Sequence, residues 1–355
     1  MNSAAVVGAG VFGASTAREL VRRGWDVTVY EQFTPGNVRS GSGGDTRLLR
    51  FSHGEQAWYS LSARRALELW RDLERESGQK LFEPVGVAWF DAGQGEFTQR
   101  SETTLCRLGI SCERLTPAEA SRLYPSLGGD DLRSVLFEPE AGVLYARAAT
   151  RALAAPLSIA PARPTPAEPP RADAVIWACG SWLPTLFPGL VEQRISRRDV
   201  FFFGTTGEWS RTPGFCDYDG PYYGHGELGG LGMKIAPDGR GADVDPDELE
   251  RVPDPEMAAL ARGYAARRFP SLAEAPIVGA RVCQYDLTPD THFLVARHPE
   301  EHGWWLVGGG SGHGFKHGPA LGEYIADCVE GRREPEPFHA LGPRTGHAGL
   351  RTAER

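Results

Sequence analysis

The chain has 355 residues, of which 41% are hydrophobic and 24% are charged, as in ordinary globular proteins. Its formal net charge of −8 argues against broad nucleic-acid binding, because no positive field would meet the phosphates. The apolar runs fall short of the ~20 residues of a membrane span, and no secretory signal pattern opens the chain. The six cysteines and nine histidines show neither C-x-x-C nor H-E-x-x-H, so no metal site is expected. We therefore expect a monomeric cytoplasmic protein of two domains, with no nucleic-acid or membrane partner.

A βαβ unit is predicted at the N-terminus. An apolar strand runs into a G-x-G-x-x-G turn, a helix follows, and a second strand ends in an acid. These elements are the strand 4–7, the glycines Gly8, Gly10 and Gly13, the helix 14–23 and the strand 25–31. Glu31 lies 23 positions after Gly8, close to the ~20 expected for an acid that binds a ribose hydroxyl. The unit predicts a dinucleotide site, since a purely structural turn would explain the glycines but not Glu31.

The middle of the chain predicts helices and a largely antiparallel sheet. Periodicity and capping signals predict helices over 56–77, from 117 to about 124 and from 255 to about 268. Aromatic and β-branched residues predict strands of this sheet over 85–90, 199–203, 231–236 and 279–285. The apolar strand predicted over 175–178 returns the chain to the nucleotide-binding domain. Residues 154–170 contain six prolines, which predict an extended surface connection rather than a regular strand pair.

A second glycine-rich turn, 308–314, follows the apolar strand 304–307 and leads into a helical stretch. A nicotinamide enzyme usually needs one such turn, whereas FAD is long enough to contact both. We therefore predict an α/β protein with a Rossmann-type FAD-binding domain and a second α+β substrate domain built on a mostly antiparallel sheet. The expected bounds are 1–80, 136–195 and 290–335 for the FAD-binding domain, 81–135 and 196–289 for the substrate domain, and 336–355 for a flexible tail.

Three sequence blocks carry a resemblance to a known family. They are Gly44-Asp45-Thr46-Arg47-Leu48-Leu49-Arg50, Val282-Cys283-Gln284-Tyr285 and Ser311-Gly312-His313-Gly314-Phe315-Lys316. Together they resemble the monomeric sarcosine oxidase family of D-amino-acid-oxidase-like flavoenzymes, over nearly the whole chain to about residue 330. The resemblance implies that FAD is the cofactor. The implied FAD contacts are Gly8, Gly10, Val11, Phe12, Gly13, Glu31, Gln32, Ser42, Thr46, Arg47, Cys283, Gly312, Gly314, Phe315 and Lys316.

Cys283 matches the family's cysteine that forms a thioether bond to the flavin. A thiolate can attack the electron-poor edge of a flavin when both are held together. A cysteine in a strand can also be a small buried hydrophobe. The matching context from 281 to 286 favours a covalent FAD through Cys283.

The resemblance implies that Arg50 and Lys316 bind a substrate carboxylate, with Tyr223 lining the pocket. Two cations on a mostly apolar flavin face would be costly without an anion. Alternatively, each cation pairs with a protein acid, and Asp45 and Glu55 are available to Arg50.

Lys234 resembles the family's lysine that promotes oxygen reduction, because a fixed ammonium stabilises the negative charge that oxygen acquires. It could otherwise be an exposed strand lysine. Arg47 is expected to shape the electrostatics of the flavin, with Thr46 as a hydrogen-bonding partner nearby. His313 is expected to orient flavin or substrate, or else to be a structural histidine.

The sequence departs from the family in three places, of which the last two indicate a substrate other than sarcosine. The proline-rich 154–170 segment replaces a strand pair, so part of the usual cover over the adenosine half is expected to be missing. Asp238 stands where sarcosine oxidases carry a histidine. His225 and Glu227 add polar groups near the expected pocket that a ligand of the size of sarcosine would not need.

The resemblance implies an oxidase that converts a carboxylate-bearing secondary or cyclic amine, an amino or imino acid, into an imine, with O₂ reduced to hydrogen peroxide. Two alternatives stay open. One is a D-amino-acid or glycine oxidase-like flavoenzyme, or a dehydrogenase with another acceptor such as a quinone. The other is a flavoprotein without turnover that serves in binding or assembly.

Overall fold

A computed structural model describes residues 1–93 and 95–344. The strands in these residues are β1 (Ser3–Val7), β2 (Asp26–Glu31), β3 (Arg47–Leu49), β4 (Phe82–Glu83), β5 (Val87–Asp91), β6 (Glu113–Leu115), β7 (Ser134–Glu138), β8 (Gly142–Leu144), β9 (Ser158–Pro161), β10 (Ala174–Trp177), β11 (Arg194–Phe203), β12 (Gly214–Asp217), β13 (Tyr222–His225), β14 (Met233–Pro237), β15 (Ile277–Leu287), β16 (Leu294–Arg297) and β17 (Trp304–Gly308). The α-helices are α1 (Val11–Arg22), α2 (Ala57–Ser77), α3 (Glu96–Arg107), α4 (Pro117–Ala120), α5 (Ala146–Ala154), α6 (Leu183–Leu186), α7 (Pro255–Arg268) and α8 (Gly318–Val329). Within the described ranges, the helices are all too short or too polar to cross a membrane.

The first sheet has six strands in the order β16-β17-β10-β1-β2-β9. All neighbours in it are parallel except β16 and β17. Val7 on β1 pairs with Trp177 on β10, which pairs with Leu306 on β17. Because the carboxyl ends of these three strands are aligned, the two glycine turns that follow β1 and β17 open at the same edge of the sheet.

Helices α1 and α8 pack against each other beside this sheet. Glycines permit their close approach: a Cβ at Gly318 would lie 2.4 Å from Val11 Cγ2, and one at Gly322 would lie 2.6 Å from the carbonyl oxygen of Ser15. Helix α1 begins within the first glycine turn, and α8 begins after the second turn and a single 3₁₀ turn, Phe315–His317. The glycine content of the two turns and of α8 therefore brings two helix N-termini to one edge of the sheet.

The second sheet has eight strands in the order β15-β11-β14-β13-β12-β5-β7-β6. Its neighbours are antiparallel, apart from the parallel pair β5 and β12. Aromatic side chains fill the core between this sheet and α7, among them Phe90, Phe215, Tyr264 and Phe269. The predicted fold class, a Rossmann-type domain with a second domain on a mostly antiparallel sheet, is confirmed.

The proline-rich segment differs from the prediction. Ser158–Pro161 forms β9, which pairs in parallel with β2 at the edge of the first sheet. Proline is tolerated there because the outer side of an edge strand needs no ladder hydrogen bond. Residues 162–164 then lie along the main cavity described below, so this segment covers part of it. The expectation of an extended connection without a strand was wrong for these four residues.

The tail was predicted to be flexible from residue 336, yet its first part is packed. Pro337–His339 forms a 3₁₀ turn, and His339 is fully buried, with its Nδ1 3.0 Å from the hydroxyl of Tyr324. Arg344 donates to the carbonyl oxygen of Phe293 at 3.2 Å. Residues 345–355 lie outside the described residues.

Candidate active site

A cavity of about 1110 Å³, open to solvent, lies at the carboxyl ends of β1, β10 and β17. Both glycine turns contribute to its walls. The predicted cofactor contacts that line it are Gly8, Gly10, Val11, Phe12, Glu31, Gln32, Ser42, Arg47, Gly312, Gly314 and Phe315. The structure therefore brings together the residues of two motifs that lie about 300 positions apart in the sequence.

The first glycine turn is closely packed. Gly8 has φ +107°, and a Cβ there would lie 2.4 Å from the carbonyl oxygen of Ala178. A Cβ at Gly13 would lie 1.9 Å from the carbonyl oxygen of Gly8. The N–H of Val11, in the first turn of α1, donates to Ser42 Oγ at 2.9 Å. The N-terminus of α1 is thereby held against the cavity, where its dipole favours an anion such as a phosphate.

Glu31 lies at the cavity wall at the end of β2. Its Oε2 accepts a hydrogen bond from the N–H of Ala9 at 2.8 Å, and its Oε1 accepts one from the N–H of Phe33 at 2.9 Å. These bonds fix the carboxylate beside the first glycine turn. A carboxylate oxygen can accept a further hydrogen bond, so Glu31 is suited to bind a sugar hydroxyl.

The second glycine turn is built on unusual backbone. Gly309, Ser311 and Gly312 have φ values of +64°, +44° and +71°. Asp286 holds this turn: its carbonyl oxygen accepts from the N–H of Ser311 at 3.0 Å, and its Oδ2 accepts from the N–H of Gly310 at 3.1 Å. Burial raises the pKa of Asp286 to about 6, although the N–H of Gly310 opposes the shift. Asp286 lines the main cavity and was not predicted.

A second cavity, of about 650 Å³, adjoins the first. The two cavities share Arg47, Tyr285, Gly312 and Phe315. Four more predicted site residues line the second cavity: Arg50, Tyr223, His313 and Lys316. Its remaining walls are Leu48, Trp89, Cys216, Asp217, Tyr222 and Asp238. The two cavities therefore adjoin at these four shared residues.

Arg50 and Lys316 are buried cations on the wall of this second cavity. The guanidinium carbon of Arg50 lies 4.8 Å from the centroid of the Trp89 ring. Lys316 Nζ donates to the carbonyl oxygen of His313 at 2.8 Å. Burial, to which the charge of Arg50 adds, holds the pKa of Lys316 well below its usual value. A bound anion would offset the repulsion between Arg50 and Lys316 and would raise the pKa of Lys316 again.

The acids considered as alternative partners of Arg50 contact other arginines. Asp45 lies 2.8 Å from Arg281 and 3.4 Å from Arg147. Glu55 lies 3.3 Å from Arg100. The nearby buried Glu138 accepts hydrogen bonds from the N–H groups of Phe51 and Ser52 and from Nε1 of Trp89.

Lys234 is buried in β14, beside neutral hydrogen-bond acceptors. Its Nζ lies 3.2 Å from the carbonyl oxygen and 3.5 Å from Oγ1 of Thr46. The Thr46 hydroxyl lies 2.8 Å from Nε2 of His225, whose Nδ1 lies 2.7 Å from the carbonyl oxygen of Gly226. The ammonium lies 5.2 Å from the centroid of the Tyr223 ring. Burial, with a contribution from Arg47, lowers the pKa of Lys234 to about 7.

Cys283 lies on β15, two residues from the cavity residue Tyr285 and on the same face of the strand. It is partly buried and forms no disulfide. Its thiol interacts with Arg47: burial lowers the pKa of Arg47, but Cys283, Tyr223 and Tyr285 outweigh this and raise it. Cys283 is therefore near the junction of the two cavities.

Among the described residues, four of the predicted site residues line neither cavity. Gly13, Thr46, Lys234 and Cys283 are not among those wall residues. His225 and Glu227, which were expected near the pocket, are not among those wall residues either. His225 is buried against Thr46, and Oε1 of Glu227 accepts from the N–H of Gly230 at 2.7 Å.

The family described as FAD dependent oxidoreductase (DAO) matches residues 3–163 and 158–328. The chain belongs to this family. It is 28% identical to a monomeric sarcosine oxidase from Bacillus sp., covering 91% of each chain. It is 27% identical to an N-methyl-L-tryptophan oxidase from Salmonella heidelberg, covering 92% of this chain and 94% of that one. The predicted family resemblance is confirmed.

Solved structures show the same fold. L-Proline dehydrogenase from P. horikoshii superposes with a TM-score of 0.82 at 21% identity, covering 95% of each chain. A modified fructosyl peptide oxidase from Aspergillus nidulans superposes with a TM-score of 0.85 at 18% identity, covering 98% of this chain and 95% of that one.

The main cavity of this FAD dependent oxidoreductase fits its cofactor. The close contacts at Gly8 and Gly13 leave backbone, rather than side chains, at the N-terminus of α1, where a pyrophosphate would bind. Glu31 lies beside this turn, where its carboxylate would accept a hydrogen bond from a ribose hydroxyl. The part of the main cavity that adjoins the second cavity is lined by Arg47, Tyr285 and Phe315. This part would hold the flavin ring, next to a substrate in the second cavity.

Some cavity residues were missed from sequence. Ala178, Cys179, Gly180 and Trp182 line the main cavity because β10 ends between β1 and β17. The signal was present, since the strand 175–178 was predicted to return to the nucleotide-binding part. In the second cavity, Trp89 and Cys216 come from the adjacent strands β5 and β12, whose parallel pairing could not be inferred from spacing.

Proposed function

We propose that this protein is an FAD-dependent oxidase of a carboxylate-bearing secondary or cyclic amine other than sarcosine. The reaction removes two electrons and two protons from a CH–NH unit to give an imine, and O₂ becomes hydrogen peroxide. The observation that carries the proposal is the pair of buried cations, Arg50 and Lys316, on a cavity adjoining the FAD cavity. The relatives named as sarcosine oxidase and N-methyl-L-tryptophan oxidase support an N-substituted amino acid.

In this proposal, Arg50 and Lys316 bind the substrate carboxylate. Each can give charge-assisted hydrogen bonds to it. The carbonyl oxygen of His313 accepts from Lys316 Nζ and so orients the ammonium toward the cavity wall. The same positive charges disfavour a protonated substrate amine, so the amine binds in its neutral form. A dedicated base is then unnecessary.

Bound FAD would accept a hydride from the carbon attached to the nitrogen and later pass its electrons to O₂. Tyr223 forms one wall of the substrate cavity, and its hydroxyl lies 3.1 Å from that of Tyr285. This contact joins β13 to β15, and the centroid of the Tyr223 ring lies 5.2 Å from Nζ of Lys234. Arg47 spans both cavities, where its charge favours electron density on the cofactor.

We also propose that Lys234 promotes the reduction of O₂. A positive charge held by neutral acceptors is available to stabilise the negative charge that oxygen acquires. Cys283 is proposed to hold FAD through a thioether bond, because it lies by Arg47 on the face of β15 that carries Tyr285. Forming this bond would remove the thiol hydrogen and one hydrogen of a flavin methyl group, and the two electrons released would pass through the flavin to O₂, giving hydrogen peroxide.

The second cavity supports a substrate larger than sarcosine. Trp89, Tyr222 and Asp238 line it in addition to the two cations. Asp238 Oδ1 lies 3.7 Å from Nε of Arg198. An acid on this wall disfavours a second carboxylate and favours a hydrogen-bond donor on the distal part of the substrate.

The test is an anaerobic screen of N-methylated, cyclic and ordinary amino acids, followed by admission of O₂. The oxidase proposal expects at least one secondary or cyclic amino acid to bleach the visible flavin band, and O₂ to restore it with one hydrogen peroxide per turnover. Bleaching that is restored by a quinone but not by O₂ would establish a dehydrogenase instead. A flavin that none of these amines bleaches would contradict the assignment as an amine oxidase.

A further inference from the structure

Three buried histidines converge next to the substrate cavity. His53, His313 and His317 each place one ring nitrogen so that the three nitrogens lie within 4.8 Å of one another. The ring centroids are 5.3 Å apart for His53 and His317, and 6.0 Å apart for the other two pairs. His53 and His317 are fully buried, and His313 is nearly so. Clustered imidazoles in a protein interior are a common ligand set for transition metals.

The second nitrogen of each ring has an oxygen partner. His53 Nδ1 lies 2.9 Å from the carbonyl oxygen of Phe51, and His313 Nε2 lies 2.9 Å from that of Thr291. Because carbonyl oxygens only accept, these two nitrogens carry the ring hydrogens. His317 Nδ1 lies 3.0 Å from Oγ of Ser62. Metal-binding histidines almost always have such a partner on the other nitrogen, which fixes the ring and its tautomer.

Two ring nitrogens of the cluster make no hydrogen bond to the described residues. His53 Nε2 and His317 Nε2 are buried and have no hydrogen-bond partner among the described residues. Leaving a buried polar nitrogen unpaired costs free energy, so two such nitrogens within one histidine cluster call for an explanation. A ligand that accepts lone pairs would satisfy both.

We propose that His53, His313 and His317 bind one divalent transition-metal ion, with Zn²⁺ as the reference ion. Zinc–nitrogen bonds of about 2.0–2.1 Å require the three nitrogens to approach to about 3.4 Å in a tetrahedral site. The observed spacing of up to 4.8 Å allows this with small side-chain rotations. Three histidines would leave the fourth position to water. His313 lines the second cavity, which provides access for the ion.

The charged side chains around the histidine cluster affect its affinity for a metal ion. The cations Lys316 and Arg50 are close enough to His53 and His317 for their charges to act on both rings. The same Lys316 and Arg50 repel a dication. We therefore expect binding weaker than that of structural zinc sites but still stoichiometric at micromolar protein.

The experiment measures zinc in the flavin-containing protein after treatment with chelator, by calorimetric titration with Zn²⁺ and by elemental analysis after dialysis. The expected result is one Zn²⁺ per chain. His53→Gln and His317→Gln should each weaken binding by about 100-fold or more, given that even outer-sphere changes cost 10–100-fold. His302→Gln, at an exposed histidine outside the cluster, is the matched control and should bind as the parent does.

Substitution of Co²⁺ gives a readout that does not depend on the variants. A tetrahedral nitrogen site gives intense visible bands beyond the flavin absorption, whereas adventitious octahedral Co²⁺ gives weak ones. Uptake well below one ion per chain in the parent protein would overturn the proposal, as would a weak octahedral spectrum. Unchanged uptake in a folded His53→Gln, checked by circular dichroism and flavin content, would do the same. Zinc binding at this cluster does not depend on which substrate the protein oxidises.

Discussion

The ammonium nitrogen of Lys234 lies 3.2 Å from the carbonyl oxygen of Thr46, a residue 188 positions earlier in the chain. This contact joins β14 of the second sheet to the segment that carries Arg47 and Arg50. Thr46 is in turn hydrogen-bonded to His225, whose pKa burial lowers to about 3. Since the threonine and the histidine are both neutral at physiological pH, they fix the lysine without cancelling its charge.

Replacing Lys234 by Met should separate the two half-reactions. Substrate should still reduce the flavin at a rate close to that of the parent, because the carboxylate site is unchanged. Reoxidation by O₂ should slow by about 10²-fold or more, as expected for loss of about 2.7–4 kcal/mol of preorganised charge stabilisation. Stopped-flow absorbance measures both rates.

Lys80→Met serves as the matched control, since Lys80 is exposed and lies 3.8 Å from Glu83 on the surface. Both of its half-reactions should match those of the parent. A Lys234→Met variant whose reduction collapses while reoxidation stays fast would move Lys234 to the substrate site.

The rate of reoxidation should depend on pH through Lys234. Burial and Arg47 lower its pKa to about 7, so the ammonium loses its proton as the pH rises above that value. The rate of reoxidation by O₂ should therefore fall above about pH 7. A negative charge on the reduced cofactor would stabilise the ammonium and move this decline to a higher pH. Because the folded pKa lies below the unfolded value of 10.5, the contribution of Lys234 to folding stability increases between about pH 7 and 10.5. A Lys234→Arg variant should show a flat reoxidation profile over this range, and a parent profile without any decline would contradict the role.

Much of the fold could be predicted from local patterns. The capping box at Thr116 and the proline after Asp254 lie at the starts of α4 and α7, as the sequence indicated. Helices α3 and α5 were not predicted. Neither has a side-chain cap, and their N-caps are Gly95 and Tyr145. Strand β9 was missed because its stability comes from pairing with β2 rather than from its own proline-containing sequence.

The candidate site divides in the same way. Glu31 could be predicted because the glycine turn, the helix and the strand that lead to it are contiguous in sequence, whereas Phe315 was expected from the family resemblance. Asp286 and Trp89 could not, since each reaches a cavity through sheet pairing over long sequence distances. The histidine cluster was also invisible, because His53 lies 260 residues from His313 and meets it only in the fold.

Gly13 and Gly263 give opposite predictions for the same substitution. A Cβ at Gly13 would lie 1.9 Å from the carbonyl oxygen of Gly8, so Gly13→Ala should lower the free energy of unfolding by more than the about 1–3 kcal/mol usual for overpacking. Gly263 is exposed within α7, with open space at its Cβ position. Gly263→Ala should therefore raise the free energy of unfolding by about 0.5–1 kcal/mol through helix propensity. Urea titration measures both, and a neutral Gly13→Ala would show that the turn is not closely packed.

The proposed thioether predicts that flavin stays with the polypeptide after acid precipitation, and that the intact mass exceeds that of the chain by one FAD. Cys283→Ser should release all of its flavin into the supernatant, since serine cannot form the bond. Cys106→Ser, at an exposed cysteine, should retain the flavin as the parent does. A colourless precipitate from the parent protein would show that FAD is bound without a covalent link.

Lys316→Ala should weaken binding of the carboxylate substrate by about 1.5–3 kcal/mol, the range for a hydrogen bond to a charged group, or about 10–150-fold in Kd. Lys316→Ala also removes the repulsion between the Lys316 ammonium and Arg50, and this gain offsets part of the loss in binding free energy. Lys316→Met removes the same charge and should behave in the same way. Amide analogues of the substrate should bind poorly to the parent and lose little further affinity in either variant, because they lack the anion that Lys316 recognises. Anaerobic titration of the flavin spectrum gives each Kd. Equal affinity of the parent for a carboxylate and its amide would show that Arg50 and Lys316 serve the protein itself rather than the substrate.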